Sequence, residues 1–314
     1  MRVTNTMLIN NMVYNLNQNM KSMEKLQYQL ATGKKFRVPS DDPIGASKSL
    51  KFNTDISKLK QYKRNAEDAM SWLDDTETAL GEINEVLKRA YELAVQVAND
   101  TYSGEDLLMV REEIEQLKEH LMQIANTTYA GRHIFSGYKT DKPLFKKENG
   151  EIVYNIDLKQ NEKFQYNIGL TERIEVNTLG SRVFGMVQGN EYIYEGDIEE
   201  AAIKPALIDV LDSFSKTLEE EDSSALTNTI SRLQASMEHI LSVRAEVGAK
   251  MNRLELTTKK LASQINNVTE LLSHNEDVDV AETVMYLSMA QNVYMSSLMT
   301  GARIIQPTLA QFLT

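Results

Sequence analysis

The chain of 314 residues contains no cysteine, which removes disulfide scaffolds, thiolate zinc sites, iron–sulfur clusters and cysteine nucleophiles together. Glycine (14) and proline (5) make up about half their usual combined share of roughly 12%, so turn-punctuating residues are scarce. Aromatic residues are only 7% of the chain, which predicts a lean core of Met, Leu and Ile. No apolar run approaches the roughly 18 residues that a membrane helix needs. The start, Met1-Arg2-Val3-Thr4-Asn5, lacks the basic-then-apolar pattern of a secretory signal. Lys plus Arg number 34 against 45 Asp plus Glu, a net charge of −11 with no long basic cluster, so phosphate neutralisation and hence a nucleic-acid partner are not expected. What remains is a chain expected to be mostly long helix, with neither a membrane span nor a nucleic-acid surface.

The clearest positive pattern is an apolar 3-4 spacing, the seam of helices that wrap around one another. It runs Leu226, Ile230, Leu233, Met237, Ile240, Arg244, Val247, Met251, Leu254, Thr258, Leu261, Ile265, Val268, Leu272, with only Arg244 and Thr258 polar. A second series begins at Phe52, Ile56, Leu59 and Tyr62. It continues through Ala66, Ala69, Leu73, Thr76, Leu80, Ile83, Leu87, Ala90 and Ala94 to Val97. Both series have a mean step of about 3.5 and predict side-by-side helices roughly 70 Å long. A third, Leu107, Val110, Ile114, Leu117, Leu121, Ile124, Thr128, follows a turn at Asn99 to Gly104, with Ser103 and Asp106 placed as a capping pair, and should fold back along the second.

The two ends carry weaker versions. Near the start the pattern is Ile9, Met12, Leu16, Met20, Met23, Leu26, Leu30, and near the end Val280, Val284, Leu287, Gln291, Tyr294, Leu298, Gly301, Ile305. If the chain runs out along one helix and returns along another, these two lie antiparallel. The basic residues Lys21, Lys25, Lys34, Lys35 and Arg37 would then face Glu276, Asp277, Asp279 and Glu282, although acids at a helix N-terminus also complement its dipole. A lone pair of such helices buries one seam only, so both ends are expected to be loosely held in the monomer and ordered by packing between copies.

From about Tyr138 to Ile203 the period changes. Glu151 to Ile156 and Phe164 to Ile168 read as short strands, and Gly169, Gly180, Gly185, Gly189 and Gly196 gather here. Pro205 opens the returning half, with a short amphipathic helix from Ala206 to Leu218. The predicted fold is mainly α: a folded-back long-helix rod with coiled-coil termini and a small β-rich inserted domain. The predicted divisions are residues 1–40 with 275–314 as the terminal coiled coil, 41–138 with 205–274 as the helical rod, and 139–204 as the insertion.

No catalytic constellation emerges. A di-iron bundle needs Glu three residues before His, but those positions relative to His120, His133, His239 and His274 hold Leu117, Ala130, Ser236 and Leu271. Phosphate-loop, zinc-protease, nucleophile-elbow and dinucleotide motifs are missing. Glu270 and His274 read as an ordinary i,i+4 surface contact, the frequent methionines as seam packing, and Trp72 as a seam anchor. No catalytic, cofactor-binding or metal residues and no cofactor are expected.

Several motifs in order carry a resemblance. Gln29-Leu30-Ala31-Thr32-Gly33-Lys34-Lys35, Pro39 to Ala46, Gln61-Tyr62-Lys63-Arg64-Asn65 and Arg89 to Ala94 resemble the N-terminal half of the flagellin family of bacterial flagellar axial proteins. Arg244 to Leu254 and Asp277 to Ala281 resemble its C-terminal half. Filament flagellins usually follow the paired aspartates with Ala-Ala-Gly; here Asp41-Asp42 precedes Pro43-Ile44-Gly45. The segment Gly131-Arg132-His133-Ile134-Phe135-Ser136-Gly137-Tyr138-Lys139-Thr140-Asp141 is similar to the hook–filament junction branch. Locally it reads as a helix end, with Gly131 available for a left-handed cap and Gly137 for a turn. The ending Gln306-Pro307-Thr308-Leu309 also departs from the Arg-ended tail of filament flagellins.

The resemblance implies a structural subunit that joins hook to filament through its terminal helices. It implies partners in further copies of itself, a neighbouring hook-associated protein, filament flagellin and an export chaperone, and unfolded export through the flagellar type III route to the extracellular flagellum. The expected assembly seam is Ile9, Met12, Leu16, Met23, Leu26, Leu30, Val280, Val284, Leu287, Tyr294, Leu298 and Ile305. The segment Ser40, Asp41, Asp42, Pro43 reads as a helix cap, and the resemblance places it also at the inter-domain joint. The alternatives are a filament flagellin and a signalling coiled coil; the β-rich insertion argues against the latter, and an enzyme is the weakest reading.

Overall fold

In this computed structural model, residues 5–99, 104–148, 150–189, 191–198, 203–220 and 223–305 are described. Ser103 and the ending from Gln306 lie outside them, so the proposed Ser103 cap and the tail are not placed. The helices are α1 Asn5–Thr32, α2 Pro43–Ala98, α3 Gly104–Ala125, α4 Gly180–Phe184, α5 Ala206–Glu220, α6 Ser223–Glu276 and α7 Val280–Ile305. Four antiparallel two-stranded hairpins lie between α3 and α5: β1 Thr128–Tyr129 with β2 Arg132–His133, β3 Phe145–Glu148 with β4 Glu151–Tyr154, β5 Gln165–Asn167 with β6 Arg173–Glu175, and β7 Met186–Gln188 with β8 Glu191–Ile193. The chain is therefore mainly helical, with long paired helices and a small β-hairpin region. It divides into two compact units, Met1–Lys58 with Gln264–Thr314, and Leu59–Ser263.

In the second unit the 3-4 series are the seam. From Ala66 to Ala94 every position of the α2 series is buried, and Leu226, Leu233, Ile240, Val247, Leu254 and Leu261 answer from α6. Bonds from Gln234 Nε2 to Tyr91 Oη (3.1 Å) and from Arg244 Nε to Glu77 Oε1 (3.2 Å) fix the two helices antiparallel. Arg244 thus occupies a seam position because its head leaves the seam for the Glu77 carboxylate. The buried faces of α3 (Val110, Ile114, Leu121, Ile124) follow their predicted series. Arg89–Glu113 ties α3 to α2, while Lys118–Asp212 and Arg111–Glu219, each 2.6 Å, tie it to α5.

One local reading is corrected. Gly131 is not a helix cap, because α3 ends at Ala125, where Asn126 turns out to accept from and donate to the backbone of Phe145. Ala130 (φ 49°) and Gly131 (φ 77°) are instead the central pair of the β1–β2 turn, both left-handed as a two-residue hairpin of the I′ kind requires. Gly137 (φ 58°) does make the expected turn. Trp72 also does more than anchor the seam: its ring meets Tyr129 and Phe164 edge-on at 5.6 and 6.3 Å, holding the hairpin region against α2. That region has its own aromatic centre, Phe135, Phe145, Tyr154 and Phe184, all buried, with Tyr154 donating to the Gly185 carbonyl at 2.6 Å.

A second face of α6, spaced Arg232, Ser236, His239, Val243, Glu246, docks the hairpins through polar groups. Arg232 donates to Tyr192 Oη (3.0 Å), Ser236 shares a hydrogen bond with Tyr194 (3.3 Å), and Glu246 pairs with Arg182 (2.6 Å). His239 stacks on Tyr194 at 3.8 Å with its Nε2 2.7 Å from the Arg182 carbonyl. Burial holds the imidazolium below the ordinary histidine range; the Arg182 charge adds to this, while the carbonyl bond and Glu195 oppose it. A depressed pKa leaves the stabilising neutral form intact above about pH 6.5, the unfolded value. The second unit should therefore lose stability as pH falls from there through the folded value. Urea midpoints at pH 7.5 and 5.5 check this, and the drop should shrink in His239→Gln.

Candidate assembly surface

α1 and α7 form the antiparallel pair of the first unit. On α1, Ile9, Met12, Leu16, Met23, Leu26 and Leu30 are half-buried at 3-4 spacing, while Met7, Leu8, Val13, Tyr14 and Met20 are exposed. On α7 the inward series is Thr283, Leu287, Ala290, Tyr294, Ser297, Gly301, with Thr283 and Gly301 buried. Leu287 and Tyr294 belong to the sequence-derived seam; Val280, Val284 and Leu298 stand exposed, and the Ile305 side chain lies outside the described set. Four of the inward positions on α7, 283, 290, 297 and 301, hold small residues, and Met12 lays its thioether against Gly301, where a β-carbon would displace it. The sequence-derived series contains Leu287, Tyr294 and Gly301 of this face and omits Thr283, Ala290 and Ser297, whose small or polar side chains carry little apolar signal.

Other bulky side chains are left outside. Val280, Val284, Met285, Tyr286, Met289, Val293, Met295, Leu298 and Met299 are all exposed on α7, in a helix with few charges. A groove of about 820 Å³ runs between the helices, walled by Leu8, Met12, Met285, Met289 and Val293 and floored by serine, asparagine and threonine. Contiguous exposed apolar surface on this scale marks an interaction site.

The turn between α1 and α2 meets the turn before α7. Gly33 (φ 70°) lets the chain leave α1, after which Lys34 and Asp277 form an isolated antiparallel bridge, Val278 N donates to Gly33 O (3.0 Å) and Lys35 N to Glu276 O (2.6 Å). Lys34 Nζ reaches Asp277 at 2.7 Å and Glu276 at 2.9 Å, which raises the lysine pKa and lowers that of Asp277. Of the basic cluster, Lys35 caps the His274 carbonyl (2.7 Å), Arg37 lies over the Tyr28 ring, and Lys21 and Lys25 are exposed. Asp279 instead caps α7, accepting from Ala281 N and Glu282 N, so the charge-pairing and dipole readings each hold for different acids.

In the Ser40–Pro43 segment Asp41 closes the preceding turn and Asp42 caps α2. Asp41 accepts from Arg37 N and Val38 N, and Asp42 Oδ1 from Ile44 N (3.1 Å) and Gly45 N (2.9 Å), with Pro43 opening α2 and Ser40 exposed. Gly45 must lack a side chain because one would strike the Asp42 carboxylate. Asn275 then donates to Gly45 O (2.8 Å) and Ser49 Oγ (2.7 Å), joining the end of α6 to the start of α2.

Among the described residues there is no group of three potential metal ligands, and no helix is long and apolar enough to cross a membrane. Glu270 and His274 lie 3.7 Å apart in open solvent. Paired helices with small-residue seams and outward apolar faces define a structural protein built to pack against others. Residues 3–140 match the family described as the bacterial flagellin N-terminal helical region, and residues 230–313 the bacterial flagellin C-terminal helical region. The chain is 30% identical over 278 residues to a flagellin of Halalkalibacterium halodurans, covering 88% of this chain and 84% of that one. It is 26% identical over 308 residues to flagellar hook-associated protein 3 of Escherichia coli, covering 95% of each. Its fold resembles that of the flagellar junction protein of Legionella pneumophila, with a TM-score of 0.59 at 16% identity over 73% of this chain and 99% of that one. The chain belongs to the bacterial flagellin family; it is a structural component of the flagellum, not an enzyme.

Proposed function

We propose that this chain is the junction subunit between flagellar hook and filament, assembling side by side and head to tail into a short tubular zone. The observation that carries this is the division of labour on α7: Leu287, Tyr294 and the small residues between them face α1, while Val280, Val284, Met285, Met289 and Leu298 stand exposed, available to neighbouring copies. The assembly seam then comprises Ile9, Met12, Leu16, Met23, Leu26, Leu30, Leu287 and Tyr294 as the pairing side, with Val280, Val284 and Leu298 directed to neighbours; Ile305 remains a sequence-based member of the seam. Ser40 to Pro43 acts as the joint, dividing residues 1–40 and 275–314 from the helices at 41–138 and 205–274, with 139–204 inserted. Support for a junction over a filament subunit comes from Pro43-Ile44-Gly45 after the aspartates, from the Gly131–Asp141 segment, and from the match to hook-associated protein 3 over nearly the whole of both chains. Its partners are further copies, a neighbouring hook-associated protein, filament flagellin and an export chaperone, and it leaves the cell unfolded by the flagellar type III route. Deleting the gene tests the reading: hooks should remain intact while flagellin monomer accumulates in the medium. Short or absent filaments without secreted monomer would overturn it.

A further inference from the structure

Three thioethers line the α1–α7 groove: Met12 from α1, Met285 and Met289 from α7, the latter two 54% and 56% exposed. Met285 and Met289 stand one helical turn apart, so they form one continuous wall. Met12 packs its sulfur directly on Gly301, with no side chain between. A leucine wall would bury the same apolar area without oxidisable sulfur.

We propose that this thioether cluster is a modification site for hydroperoxides, at which oxidation of Met285 and Met289 abolishes the packing competence of the groove. The sulfur lone pair attacks the distal peroxide oxygen; the S–O bond forms as the O–O bond breaks, and the leaving hydroxide takes up the remaining peroxide proton as water. Sulfur loses two electrons and the peroxide gains them. Each sulfoxide sets a strong acceptor dipole on a wall that was apolar, so a helix packed there must desolvate it without a donor. Met295 and Met299 are also exposed but do not line the groove, so their oxidation leaves the wall unchanged. The site itself stands on exposure and placement; only its consequence for assembly rests on the junction reading.

The test treats the purified full chain with hydrogen peroxide and follows the mass of each methionine peptide. Met285 and Met289 should gain one oxygen on the order of tenfold faster than Met237 and Met251, which are half-buried in the α6 seam. Equal rates would overturn the site. In cells, peroxide should raise the loss of flagellin to the medium several-fold for the wild type but not for Met285→Leu with Met289→Leu, while Met295→Leu with Met299→Leu gives no protection. Equal sensitivity of the wild type and the groove variant refutes the consequence for assembly. If gene loss itself releases no flagellin, the junction reading fails, and the peptide rates still decide whether the groove is the modification site.

Discussion

Phe145→Ala is expected to lower the stability of the second unit by about 3–5 kcal/mol, the range for deleting a buried aromatic ring. Phe145 is 1% exposed and touches Tyr154 and Phe184 edge-on, with centroids 5.0 and 4.9 Å away, so its loss opens a cavity at the middle of the aromatic centre. Its backbone is held at both N–H and C=O by Asn126, which leaves little freedom for the strand to collapse inward. Trp72 is the sole tryptophan and sits in the same unit against Tyr129 and Phe164, so urea unfolding followed by its fluorescence reports this unit specifically. The midpoint should fall with the slope unchanged. A midpoint within error of the wild type would mean that the hairpin region unfolds independently of α2.

Gly185→Ala should be nearly as damaging, for a different reason. Gly185 has φ 62° and ψ −176°, a region open in practice only to glycine, and strain there costs about 1–3 kcal/mol. A β-carbon would also lie 2.8–3.0 Å from the Tyr194 ring and from Ala206 Cβ, and overpacking adds about 1–3 kcal/mol. The Gly185 carbonyl accepts from Tyr154 Oη, so a backbone shift that relieved the clash would strain that buried hydrogen bond. Gly189→Ala is the control: φ is 66°, but no atom lies within 4 Å of the added carbon, so only the conformational part should appear. Thermal unfolding of both variants separates the two contributions, and equal shifts would show that the contact with Tyr194 and Ala206 is readily relieved.

The helical seams were legible because their cause is periodic. A residue buried between long helices must recur every three or four positions, and from Ala66 to Ala94 every residue of the series is buried, though Trp72, Ala79, Val86 and Leu93 beside it are buried as well. The caps at Asp42 and Asp279 follow equally from local chemistry, since a carboxylate two or three residues before free helix N–H groups satisfies them wherever the helix lies. Gly131 shows the limit of that reasoning. A left-handed glycine serves a helix end and a hairpin turn alike, and only the pairing of Tyr129 with Arg132 chooses between them.

By itself the sequence determined the helical class, the order of the long helices and the family, because each depends on spacing or on motifs within a few turns of chain. Tertiary structure alone decided which side of α7 turns inward. There the apolar residues surround most of the helix, and hydrophobicity cannot distinguish a face for its own chain from a face for a neighbour. Packing on α1 takes Leu287 and Tyr294 together with the small Thr283, Ala290, Ser297 and Gly301, and leaves Val284, Met285, Met289 and Leu298 outside as an exposed apolar surface.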